Sequence, residues 1–170
     1  MTTEIYVSGS EWVGGGVRSI ETGLHDLFAT ARRRIVTSTY SIGGSAFDLP
    51  ETWIEDALRR GVEVVLVANR WDGQHRAATA PLERLARADP AFSIFSWDGP
   101  DRHDLHAKAV VADERVAIIG SSNWSGNGLL RNHEMAVRVM GAPARAAARL
   151  IVSLTGSTWA TRRPKALQDG

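Results

Sequence analysis

The chain has 170 residues, 44% hydrophobic and 23% charged, which suits one globular domain and excludes a disordered tail, a collagen-like repeat or a disulfide scaffold. With no cysteine, thiolate zinc sites, redox pairs and cysteine nucleophiles are excluded together, and a net charge of +1 gives no global field for steering a polyanion. All 20 basic residues are arginine except Lys108 and Lys165.

Residues 4–7 read as a short strand. From Val17 the apolar residues Ile20, Leu24, Leu27, Phe28 and Ala31 recur at helical spacing, predicting an amphipathic helix that ends near Arg32, Arg33 and Arg34. Residues 35–42 form a β-branched, Ser/Thr-rich strand, and Gly43, Gly44 and Ser45 a loop. Asp48 and Glu51 around Pro50 signal a helix start, with Trp53, Ile54, Ala57 and Leu58 facing inward and Gly61 as the stop. Residues 62–68 are nearly all apolar, as in a strand covered on both faces. A short helix opens at Thr79 and Pro81 and ends before Pro90, followed by a strand over 92–97 and a loop over 98–102. Residues 105–112 and 116–120 are two strands joined by a tight turn at Asp113 and Glu114, with Ala112 opposite Arg115. A loop at Gly126, Asn127 and Gly128, a strand over 133–140 and an Ala-rich helix over 142–154 complete the pattern, and the last dozen residues, with Arg162, Arg163 and Pro164, read as a frayed tail. The fold class is α/β: a mixed β-sheet flanked by helices on both faces, a single domain over 1–160 with a tail over 161–170.

No apolar run approaches a membrane span, and the first ten residues lack a basic stretch leading into an apolar one, so the chain is read as cytoplasmic. The functional side chains concentrate in one region. His106 and Lys108, two apart in an extended strand, share a face. The expected hairpin register sets His106 opposite Ser121 and Asp104 opposite Asn123, and Glu134 faces the same side while its apolar neighbours fill the core. An imidazole that can act as nucleophile or acid/base near neutral pH, beside an ammonium and a carboxamide that can hold non-bridging oxygens, suits attack on a phosphodiester without metal or cofactor. A metal site built from His103, Asp104, His106 and Glu134 fits poorly, because the odd spacing of the histidines splits them between faces and Lys108 would repel a cation. His25, His75, His103 and His133 are read as solvated or core residues.

The run His106-x-Lys108, four residues, Asp113, six residues, Gly120-Ser121-x-Asn123 matches at every fixed position and spacing the HxKx4Dx6GSxN signature of the phospholipase D superfamily. Tyr40-Ser41 after a strand and the segment 57–64 ahead of the next add a likeness to the small bacterial endonucleases of that superfamily. The resemblance implies that His106 attacks phosphorus to give a phosphohistidine, that Lys108 and Asn123 bind the phosphate with help from Ser121, and that Glu134 orients His106. Asp113, at the predicted turn and on the wrong parity for the site, is read as structural, as is Gly120. With a single copy of the motif, the resemblance implies a homodimer in which two His106 side chains meet across a two-fold axis.

Nucleic acid, DNA foremost, is the expected substrate. Arg32 to Arg34, Arg59, Arg60, Arg70, Arg76, Arg102 and Arg131 could line a groove, with Trp71 or Trp97 as stacking platforms. A lipid substrate would call for an apolar rim and a membrane-docking segment, neither of which is read here. The setting suggested is DNA processing or anti-phage defence with partner proteins, and the alternative reading is a phosphate-binding scaffold subunit of such a complex.

Overall fold

A central sheet of nine strands carries three helices on one face and one on the other. The computed structural model describes residues 3–43 and 48–164, so Gly44 and Ser45 of the expected loop and Lys165 lie outside the described residues. In chain order the elements are β1 (Glu4–Val7), β2 (Arg18–Ser19), α1 (Ile20–Thr30), β3 (Arg34–Thr39), β4 (Ile42–Gly43), α2 (Asp48–Arg59), β5 (Glu63–Asn69), α3 (Arg76–Ala88), β6 (Phe92–Trp97), β7 (Lys108–Ala112), β8 (Val116–Gly120), β9 (Trp124–Ser125), β10 (Met135–Met140), α4 (Ala142–Thr155) and β11 (Ala160–Arg163). The sheet order is β11-β6-β5-β3-β7-β8-β10-β1-β2, and β4 and β9 make a separate two-stranded ribbon. Strands β3, β5 and β6 are parallel, whereas β7, β8 and β10 run antiparallel in succession.

Helices α1, α2 and α3 bury Leu24, Phe28, Trp53, Ile54 and Leu82 against Ile35, Leu66, Ile94 and Val110. On the opposite face Ala144, Ala148 and Ile151 of α4 pack on Val36, Val65, Val111 and Ala117. The alternation of strand residues between two apolar layers explains why 62–68 reads as a continuous apolar run. No helix among the described residues is long and apolar enough to cross a membrane.

Several local expectations differ from the structure: the strand expected over 35–42 ends at Thr39, and the one expected over 133–140 starts at Met135. Helix α1 starts at Ile20, because the Ser19 hydroxyl accepts from the Thr22 N–H (3.1 Å) and caps it, leaving Val17 exposed outside the helix. Helix α3 starts three residues ahead of Thr79, with Pro81 inside it. Residues 160–163, expected in the frayed tail, form an edge strand on β6, with Arg163 bonded to Asp72. The hairpin register is also shifted. The Arg115 N–H donates to the Ala112 carbonyl (2.9 Å) across Asp113 and Glu114, both at positive φ (53° and 56°), but the ladder pairs Ala112 with Val116. Arg115 is therefore an extra, bulged residue, and Lys108 lies opposite Gly120.

Candidate active site

The site forms where the parallel strands β3 and β5 end and β7 begins. β3 stops at Thr39, and the chain turns through Tyr40 and Ser41 before β4. Gln74 holds that turn: its Oε1 accepts from the Ile42 N–H (2.8 Å), and its Nε2 donates to the carbonyls of Tyr40 (3.0 Å) and Asn69. Buried Asn69, the last residue of β5, reaches across to residues 104–105. Its Oδ1 accepts from the Leu105 N–H (2.9 Å) and its Nδ2 donates to Asp104 (3.2 Å).

Held in this way, residues 103–107 lie outside any strand, so His106 precedes the strand it was expected to occupy. His106 is exposed, and its ring packs tilted, at 51°, against Tyr40 with centroids 4.6 Å apart. Lys108, only 7% exposed, lies beneath: Nζ is 2.7 Å from His106 Nδ1, donates to the His106 carbonyl (2.8 Å), and sits 5.3 Å from the centre of the Tyr40 ring. Burial pushes the ammonium below the ordinary lysine range, and the nearby Glu134 charge offsets part of that.

Asn123 joins the group through the Tyr40 turn, its Oδ1 accepting from the Ser41 N–H (3.2 Å) and its amide nitrogen left to donate. The expected cross-strand partners are not formed. Asp104 bonds Asn69 and Arg70 instead of facing Asn123, and Ser121 is not opposite His106, because the bulge at Arg115 moves every partner by one residue. The Ser121 hydroxyl instead donates to Glu134 and accepts from the Met135 N–H (3.2 Å). Glu134 also accepts from Asn132 (3.3 Å) and makes no hydrogen bond to His106 among the described residues. Ser121 and Glu134 thus form a pair beside the histidine-lysine cluster. Gly120 permits this approach: a Cβ there would lie 2.5 Å from the Met135 carbonyl oxygen and from the Ala136 Cβ.

Asp113 lies at the opposite end of β7. Its carboxylate accepts the backbone N–H groups of Arg32 (2.9 Å), Arg33 (2.8 Å) and Arg34 (3.0 Å), tying the turn after α1 to the hairpin. Burial acts to raise its pKa, but the three N–H bonds and the Arg33 charge outweigh it and hold the carboxyl below the usual range. A depressed folded pKa gives stability that is present above the unfolded value near ~4 and lost as pH falls through the folded one. Asp113→Ala is expected to cost about 3 kcal/mol at pH 7 in denaturant melts. The loss should shrink as the pH is lowered through that window, and a variant with unchanged midpoint would refute the assignment.

Among the described side chains, which do not include that of Arg102, the expected arginine groove is not assembled. Arg34 and Arg59 pair with Glu63 and Asp56, Arg60 bonds the Phe28 carbonyl, and all three lie at the end of the sheet away from His106. Arg76 pairs with Glu83, and Arg131 is exposed without contact to the histidine segment. Arg70 alone among the described arginine side chains is bonded to that segment, through Asp104. Trp71 is buried with its Nε1 on Glu83 (2.8 Å), and Trp97 packs over Gly99, so neither is a free stacking surface. Sequence reasoning missed Asn69 and Gln74, whose bonds reach across the fold, and quoted Tyr40 without a role. His25 packs edge-on against Trp53, His75 lies beside Gly43, and His133 bonds Glu11. Among the described residues no three His, Asp or Glu side chains gather in a way that could hold a metal ion.

The fold is shared by Nuc from Salmonella typhimurium, a phospholipase D family member, with a TM-score of 0.74 at 18% identity over 95% of this chain and 98% of that one. NucT from Helicobacter pylori gives 0.66 at 15% identity, covering 89% and 96%, and phosphatidylserine synthase from Haemophilus influenzae Rd KW20 gives 0.69 at 14%, covering 94% and 39%. In sequence, the DISARM protein DrmC of Bacillus paralicheniformis is 26% identical over 119 residues, and the chain spans only 48% of that relative's length. The family model described as the cardiolipin synthase, PLD-like domain matches residues 24–153, the larger part of the chain and all of the site just described, and the chain therefore belongs to the phospholipase D-like family.

Proposed function

We propose that the chain is a phosphodiesterase that cleaves nucleic acid, most naturally DNA, through a phosphohistidine on His106. The observation that carries this reading is the exposed His106 ring set directly over the buried ammonium of Lys108, with a free carboxamide donor on Asn123. Nε2 of His106 attacks phosphorus, the bond to the leaving sugar oxygen breaks, and water then cleaves the P–N bond to release the phosphate end and regenerate the imidazole. Lys108 and Asn123 take the non-bridging oxygens and the charge that develops on them.

A substrate phosphate has to draw Nζ away from the imidazole. Nζ lies 2.7 Å from Nδ1 and 3.1 Å from Nε2, so the ammonium occupies the edge of the ring that has to be free for attack. Substrate binding and nucleophile activation are thereby one event. Glu134, close enough to act on Lys108, balances the charge of the ammonium in both positions and serves as the supporting carboxylate.

The leaving oxygen needs a proton from the far side of phosphorus, and we assign this to His106 of a second copy in a symmetric homodimer. Leu130 and Met135, exposed on either side of Glu134 in the sequence, support an apolar contact between copies. The similarity to a DISARM protein supports a defence setting, in which partner proteins would guide the site to its target.

The test is incubation of the dimer with single-stranded DNA, duplex DNA, RNA and bis-p-nitrophenyl phosphate in excess EDTA. Cleavage of a nucleic acid and release of p-nitrophenol are expected. A folded dimer that turns over none of them would favour the scaffold reading, loss of activity in EDTA would end the metal-independent mechanism, and an active monomer in ultracentrifugation would end the shared site.

A further inference from the structure

The side chain of Arg70 presents features that no step above uses. It follows Asn69 at the end of β5 with φ of +41°, a conformation that costs a non-glycine residue of order 1 kcal/mol or more and persists where surrounding structure enforces it. Its Nε donates to Asp104 (3.0 Å), two residues before His106, and the same carboxylate oxygen takes Asn69 Nδ2. Asp104 therefore aims the guanidinium through Nε and leaves Nη2 without an acceptor. Nη2 is covered and has no acceptor, yet the side chain as a whole is 40% exposed, so its accessible surface lies on its other atoms. A covered N–H without a partner is costly, and a half-exposed guanidinium held beside the histidine segment suits an anion that can accept from its accessible atoms.

We propose that Arg70 binds a phosphate of the substrate strand next to the scissile one. This inference rests on the nucleic-acid reading above and adds what distinguishes a polynucleotide from an isolated phosphodiester. His106, Lys108 and Asn123 engage one phosphate, and a lone diester fills them completely. Arg70, tied to the histidine segment through Asp104, makes the second contact, which only a repeating phosphate backbone offers. Modest rearrangement of the guanidinium on binding would give Nη2 its missing acceptor. The orphaned N–H is thus a feature of the free protein that substrate relieves.

The test uses His106→Asn as a non-cleaving background and a fluorescent single-stranded oligonucleotide read by anisotropy across a salt series. Arg70→Gln is expected to weaken binding about tenfold and to reduce the dependence of log affinity on log salt by about one phosphate's worth. Arg70→Lys should recover part of the affinity, since it keeps the charge and loses the fork. Arg70→Gly accepts the positive φ without strain, and is expected to melt near the parent while binding as poorly as Arg70→Gln. In chains retaining His106, the ratio of kcat/KM for the oligonucleotide to that for bis-p-nitrophenyl phosphate should fall about tenfold in Arg70→Gln, the same single lost contact. Equal losses on both substrates, or an unchanged salt slope, would overturn the proposal and leave the nuclease reading standing. A parent that turns over the small diester but binds no oligonucleotide would instead overturn the nucleic-acid reading itself, and this inference with it.

Discussion

His106→Asn is expected to abolish turnover of every phosphodiester the chain accepts, by roughly 10⁴-fold or more, because it removes the atom that bonds to phosphorus. Asparagine keeps a polar side chain over Lys108 and can lie against Tyr40, so the fold and the phosphate pocket should survive. Melting within the range of the parent and retained oligonucleotide binding would show this. With a phosphorus-labelled substrate quenched in base, the parent should carry label that acid releases, as a phosphoramidate does, and the variant should carry none. Mixed dimers discriminate further. If each reaction uses the histidines of both copies, co-assembling equal amounts of parent and variant should leave about a quarter of parental activity, and independent sites would leave about half. Residual activity in the pure variant within a hundredfold of the parent would rule out His106 as nucleophile.

The two-residue spacing of His106 and Lys108 makes their shared face legible without a structure, and the apolar periodicities of α1, α2 and β5 make the layer order legible as well. Two things were not. The hairpin turn is marked by Asp113 and Glu114, but nothing in residue type says that Arg115 bulges, and one extra residue is enough to reassign Ser121 from His106 to Glu134. Side chains that bridge distant segments leave no local period to read. Asn69 meets Leu105, and Gln74 meets Tyr40 and Ile42, only because β5 lies beside β3 and the 103–107 segment crosses its end. The arginines show the same limit. Their number suggests a groove, but Arg59 and Arg76 pair within their own helices and Arg34 pairs with Glu63 on the neighbouring strand, and among the described arginine side chains Arg70 alone is bonded to the histidine segment. Asp113, by contrast, is placed away from the site by its turn position and strand parity, and its three backbone bonds lie at the far end of β7.

Lys108→Arg is expected to lower kcat by about a hundredfold or more although it conserves the charge, a loss of transition-state stabilisation of the size seen for a misplaced electrostatic group. The reason is room and shape. Buried Lys108 lines, with Gly120, Ser122 and Trp124, a cavity of only about 20 Å³, little more than one water. A compact ammonium fits between the His106 carbonyl, the imidazole and the Tyr40 ring; a planar guanidinium would have to part the ring pair that holds the nucleophile. In a chain that otherwise uses arginine for nearly every cation, this is the position where arginine cannot serve. The pH profile separates charge from shape. Burial lowers the lysine pKa, so the charged, active form is lost on raising the pH earlier than a free lysine near ~10.4 would lose it, and the parent should show an alkaline limb below that value. Arginine does not titrate there, so the residual activity of Lys108→Arg should lack that limb, and Lys108→Met should be less active still while melting higher, relieved of a desolvated charge. Parental rates in Lys108→Arg, or the same alkaline limb in both proteins, would show that Lys108 is not the group that holds the transferring phosphate.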